Sequence, residues 1–142
     1  MDIFLNLLLW LHFTGVAMAL GGGMALAVTG PQFMANVAEY PELMWSVETA
    51  LSRVGSAGLL LLLITGPLMV WLRFGGTAAM NGWFWLKMGL VAVATFAVGT
   101  HHVTSARFRS GDESALGTMA LSGRIAGFSL LAVVFCAVFA FS

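Results

Sequence analysis

Four long apolar runs dominate the chain, each parted from the next by a cluster of polar, glycine and proline positions: Ile3 to Val28, Val54 to Leu72, Trp83 to Thr100 and Leu121 to Phe141. Each is close to or above the roughly 20 residues a helix needs to cross ~30 Å of hydrocarbon. The pattern predicts an all-α integral membrane four-helix bundle, with helices over about 3–28, 54–72, 83–100 and 121–141, in a single transmembrane domain spanning 1–142. The first connection, Thr29 to Arg53, is the longest; it carries Pro31, Pro41, Glu39, Glu42 and Glu48, and its second half fits a short interfacial helix. The second, "RFGGTAAMNG", has the glycines of a tight turn. The third begins at "HHVTSARFRSG" and holds most of the remaining charge.

Composition strengthens the membrane assignment. Hydrophobic residues make up 60% of the chain and charged ones 8%, against about a quarter charged in soluble domains. A cleaved signal peptide is the rival for the first run, but that needs a basic flank and here Asp2 stands alone, so the run is read as a mature helix. Acids and bases balance at net charge +0, so nothing suggests a nucleic-acid partner, whose binding needs a clustered cationic footprint. The first and third connections hold Arg53, Arg107, Arg109 and Arg124, against Arg73 and nearby Lys87 on the other side. Basic residues stay cytoplasmic, so both termini are expected outside the cytoplasm. The single Cys136 offers no disulfide framework or zinc spacing and is expected to pack as a small hydrophobe.

His12 is the position where this pattern is broken. At 1.5 Å per residue it lies roughly 13 to 14 Å below the outer boundary, beyond the reach of a surface snorkel. An intramembrane ionisable side chain is a functional-site hypothesis by default, and a neutral imidazole is a good ligand for iron or copper. The plain alternative is a histidine bonded to a neighbouring helix's carbonyl. Gly15, Ala19, Gly22 and Gly23 follow His12 at helical spacing, leaving one face nearly bare. Such a face serves close helix packing or leaves room for a flat cofactor beside the ring.

Other polar positions divide the same way. Lys87 in "GWFWLKM" sits ~6 Å below the outer boundary, where it either snorkels or, with Arg73, meets the propionates of a haem hung on His12. At His12's depth the other helices present Ile64, Thr65, Val91, Ala92, Leu131 and Ala132, none of them a good second axial ligand, with Met69 and Met88 about a turn too shallow. An open sixth position suits chemistry better than electron relay alone. His101 and His102 close the third helix and point about 100° apart, so they cannot share one metal as an i, i+4 pair; a solvated helix end, or a cationic rim with Arg53 for an anionic ligand, are the two readings. The nine methionines are scattered, as core filler would be, and include Met18 and Met69 as candidate partners of His12 for Cu(I). No constellation for nucleophilic catalysis, phosphate cradling or paired acids is present, the acids falling in connections. Trp83 and Trp85 fit an interfacial aromatic belt.

Taken together, the first-helix histidine, Arg53, "LLITG", "GWFWLKM" and "THHVTSARFRSG" resemble the bacterial membrane protoporphyrinogen IX oxidase family, HemJ, with its Gly-Trp-x-x-x-Lys motif and His-His-x(4)-Arg stretch. The Arg53, Thr65-Gly66 and Lys87 part is also similar to the copper resistance protein D-like membrane domain. The resemblance covers about Leu11 to Arg109. It implies haem b, His12 as its metal ligand, Lys87, Arg53 and Trp83 as functional positions, and a bacterial inner (cytoplasmic) membrane location; beside that resemblance, the bare face and the depths of the cations put Gly15, Ala19, Lys87 and Arg73 in cofactor binding. Where that family has a Leu-Pro-Arg-Leu segment, this chain has "GGGMALAVTGPQFM", without the arginine that would pair a porphyrin carboxylate. Three functions are therefore expected to compete: haem-linked redox or porphyrin chemistry that delivers electrons to a quinone or a partner complex, copper handling through His12, and a non-catalytic subunit, as a homo-oligomer or within a larger membrane complex, bounded by lipid.

Overall fold

The computed structural model describes residues 2–76, 78 and 80–140, in which four helices follow one another: α1 (Asp2–Asn36), α2 (Pro41–Phe74), α3 (Gly82–Arg109) and α4 (Ala115–Ala140). All four are long and apolar enough to cross a membrane, and the chain is a multi-pass α-helical membrane protein. Helices are what lipid permits, because each satisfies its backbone N–H and C=O groups internally. Hydroxyls inside them are satisfied by the same device: Thr14, Thr29, Thr65, Thr95, Thr100 and Thr104 each donate to the carbonyl four residues earlier. Phe4, Trp10, Phe13, Trp71, Phe96 and Phe128 are among the large apolar side chains left on the outside, where lipid rather than water is their solvent.

The helices are longer than the apolar runs. α1 continues through Pro31 to Asn36, and α2 starts with Pro41 at its first turn, so the expected connection over 29–53 shrinks to residues 37–40, and the short interfacial helix is simply the start of α2. Proline is well suited to that first turn, since the N–H it lacks would have no intrahelical partner there. Likewise α3 runs on through both histidines to Arg109 and α4 begins at Ala115. Hydrophobic length detects the ~20 residues that lipid surrounds; beyond them the helices continue with polar outer faces. The predicted last residue of the fourth helix, Phe141, lies outside the described residues.

The glycine turn between α2 and α3 is as the sequence implies. Gly75 takes φ +66° as the cap of α2, its N–H bonded to the Val70 carbonyl, and Asn81 opens α3 by accepting from the Phe84 amide at 3.1 Å. The α3–α4 turn is built around Asp112, which accepts from the Ser114 hydroxyl and amide and from Arg107 at 2.7 Å. Ser114 above all, and Arg107 with it, hold this carboxyl below the ordinary aspartate range. A depressed carboxyl stabilises the folded turn above that range and loses its contribution as pH falls through its folded value. Acidification should therefore loosen this turn in wild type, read from the Ser114 amide resonance, and Asp112→Asn should remove the pH dependence; the same acid limb in the variant would show that another group sets it.

Packing is unequal around the bundle. α1 lies along α2, α3 along α4, and α1 against α4, while α2 and α3 have at most sparse close backbone contact among the described residues. Ala19, Leu59, Ala94 and Leu130, one from each helix, form the central layer. The α1–α2 seam is the tightest because neither side has side chains to hold it apart. A Cβ at Gly22 would stand 2.7 Å from Gly55 Cα, and one at Gly58 2.7 Å from the Gly15 carbonyl oxygen. Of the two readings of the small-residue face, the structure realises close packing. Gly15 and Ala19 are buried against α2, so that face leaves no room for a flat cofactor. Cys136 is buried and reduced, as a small hydrophobe.

Candidate functional site

Two turns from the central layer, toward the end that carries Asp2, the helical rise brings His12 of α1, Thr65–Gly66 of α2 and Lys87 of α3 to one level. Depth counted from helix starts had set α3 a turn out of register: Lys87 and Met88, rather than Val91 and Ala92, stand opposite His12. Met88 faces outward among the exposed apolar side chains. Lys87 is half-buried and within electrostatic reach of His12.

The imidazole is held by a defined partner. His12 Nδ1 lies 2.9 Å from Thr65 Oγ1, and the Thr65 hydroxyl donates its single proton to the Leu61 carbonyl at 2.7 Å. The hydroxyl is thus committed as a donor, and Nδ1–H donates to its oxygen. In the neutral ring that leaves the lone pair on Nε2, which has no hydrogen-bond partner among the described residues. The ring lies beside Gly66 of α2, where a Cβ would make ordinary contact with Cε1 at 3.7 Å. Fixing one ring nitrogen by an outer partner so that the other presents its lone pair is how proteins prepare a histidine as a metal ligand.

The remaining predicted residues are dispersed. Trp83 lies a turn outward of Lys87 and stacks on Phe139, with ring centroids 5.1 Å apart. Arg73 is exposed two turns outward of Thr65. Arg53 is ~18 Å from Thr65 along α2 and lines an open groove with Glu42, Trp45, Thr49 and Arg109, so Lys87, Arg53 and Trp83 do not converge on one centre. Met18 is six residues beyond His12, ~9 Å along the helix, and packs toward Gly58; the two cannot share a copper ion. No group of three or more metal-ligating His, Cys, Asp or Glu side chains occurs among the described residues.

A second polar cluster, which the sequence reading missed, lies toward the opposite end. Glu48 and His101 are both buried, with Nε2 of the ring 3.0 Å from Glu48 Oε1 and Nδ1 3.1 Å from the Met119 carbonyl oxygen. The Ser105 hydroxyl donates to the same Oε1 at 3.3 Å. The two histidines diverge as their adjacency requires, and His102 is exposed with its Nε2 2.6 Å from Ser56 Oγ. His101 is thus no solvated helix end. Side chains, not backbones, bridge α2 to α3 here, with Arg109 adding a bond to Thr49 and a stack on Trp45, 4.5 Å from its ring centroid. The signal was present as spacing: Glu48, Ser52, Gly55 and Leu59 share one face of α2, and Ala94, Ala97, His101 and Ser105 one face of α3.

Comparison with family models, with curated proteins and with solved structures finds no match to this chain.

Proposed function

We propose that this chain is a haem b-binding protein of redox or porphyrin chemistry in the bacterial cytoplasmic membrane, with His12 Nε2 as its iron ligand. One observation carries the reading: two turns from the central layer, the Thr65 hydroxyl fixes the ring so that a nitrogen lone pair without a partner among the described residues is left over. That donor suits a porphyrin iron, which His12 would hold without a further protein ligand. The glycine face does not fit as a haem wall, because α2 fills it; a haem on His12 would approach from another side of α1.

Lys87, at the level of His12, supplies a cation for a propionate, a pairing that lipid strengthens. Haem bound here supplies one-electron chemistry; the protein's residues orient it, balance its carboxylates and keep water from it. Oxidation of protoporphyrinogen is the concrete activity, with electrons passing to a quinone or a partner complex. Arg53, Arg107, Arg109 and Arg124 belong to the end opposite the termini and favour that end as cytoplasmic.

The test is a visible spectrum of protein purified from haem-supplied cells. Wild type should show a Soret band, His12→Ala should lose it, and Thr65→Val should bind haem 10- to 100-fold more weakly, as roughly expected on removing an outer-sphere partner. A colourless wild type with ample haem removes the proposal and leaves a packing subunit.

A further inference from the structure

The hydrogen bonds of His101 constrain where its protons are. A carbonyl oxygen only accepts, so the contact with Met119 requires a proton on Nδ1. The other nitrogen faces a carboxylate oxygen at 3.0 Å in a buried setting. Without a proton between them, two lone pairs would oppose each other there. One proton lies between Nε2 and Oε1, and the pair is neutral overall, whether written as imidazolium with carboxylate or imidazole with carboxylic acid. Gly123 of α4 lies against the ring, where a Cβ would stand 3.4 Å from Nδ1, at ordinary contact distance.

The pair is not sealed. Glu48 and His101 both line a partly open cavity of about 180 Å³, whose wall also includes Thr29 and Gln32 of α1 and Arg124 of α4. Glu48 Oε2 takes part in none of the bonds made by Oε1, and no buried side-chain oxygen or nitrogen among the described residues lacks a partner; Oε2 therefore reaches accessible space. The cavity has room for several waters. The groups around the pair are Ser105 on α3, Met44 and Val47 on α2, uncharged Thr29 and Gln32 on α1, and Arg124, which is the charged side chain across the cavity. His102 is turned away to Ser56.

We propose that Glu48 and His101 form a proton-binding site that loads and releases a single proton through this cavity. On release the proton passes to cavity water, the pair changes from neutral to one negative charge, and the Arg124 guanidinium is the counter-ion. The site lies ~25 Å along α2 from Thr65 and is independent of the His12 reading.

The test uses the full chain in lipid nanodiscs, labelled with 15N at histidine and read by NMR, the His101 signals being assigned by their loss in His101→Asn. Nδ1 should stay protonated throughout while the Nε2 proton is lost in one step as pH rises. That proton should exchange with deuterium while the surrounding helix amides remain protected. Arg124→Gln should move the step to higher pH, since removing a cation makes the proton easier to keep. Glu48→Gln should abolish the single step in a folded protein. An unprotonated Nδ1, the absence of any step between about pH 4 and 10, a step that ignores Arg124→Gln, or exchange only on unfolding would each overturn the proposal, leaving a static tie between α2 and α3.

Discussion

Gly58→Leu should separate α1 from α2 and cost upward of ~3 kcal/mol, the upper end of ordinary overpacking. A Cβ at Gly58 collides with the Ala19 amide nitrogen and comes within 2.7 Å of both the Gly15 carbonyl oxygen and Met18 Cβ. Two of those three atoms are backbone, so no rotamer change relieves the clash and one helix must move bodily. Even Gly58→Ala should be destabilising, although alanine is the better helix former by roughly 1 kcal/mol. The sign should reverse at Gly21 and Gly89, where nothing lies within 4 Å of the added carbon: alanine there should be neutral or stabilising. Denaturant titration of the four variants in one detergent compares them directly. Equal effects at Gly58 and Gly21 would mean that the α1–α2 seam is not where the bundle is held.

That seam also shows how far the sequence could be read. Small residues every three to four positions define a face without saying what covers it, and a porphyrin and a bare neighbouring helix demand the same residues. The matching stripe in the second helix, Gly55 and Gly58, favoured the second answer, and Gly22 against Gly55 confirms it. His12 stood out because polarity at mid-membrane is costly wherever it occurs. Its partner Thr65 was visible only as a neighbour in depth, since a threonine that bonds its own helix carries no outward sign of a second contact. Counting from helix starts makes Lys87 too shallow, because the starts are not coplanar: the central layer pairs Ala19 with Ala94 and so fixes a different register. Glu48 was lost for another reason. Hydrophobic length ends a helix where lipid ends, which put this carboxylate in a loop and hid that it shares a face with Ser52 and Gly55.

Removing that carboxylate should have the other large effect. Glu48→Ala leaves His101 Nε2 and the Ser105 hydroxyl without the oxygen they share. Breaking one side of a buried pair typically costs about 3–5 kcal/mol, because the surviving partner remains desolvated and unmatched. Replacing both members tests whether the loss lies in the pair or in the orphan it leaves. In Glu48→Met/His101→Leu no buried charge remains, and the Met119 carbonyl still accepts from the Ser122 hydroxyl at 3.0 Å. The double variant should therefore regain most of the stability lost by Glu48→Ala, as apolar replacement of buried ion pairs often does. Unfolding curves for wild type, the single variants Glu48→Ala and His101→Leu, and the double variant measure this. Recovery would mean that the fold bears the pair without depending on it. A double variant as unstable as the sum of its parts would make the pair a structural clamp instead, closing the side of the bundle on which α2 and α3 have at most sparse close backbone contact among the described residues.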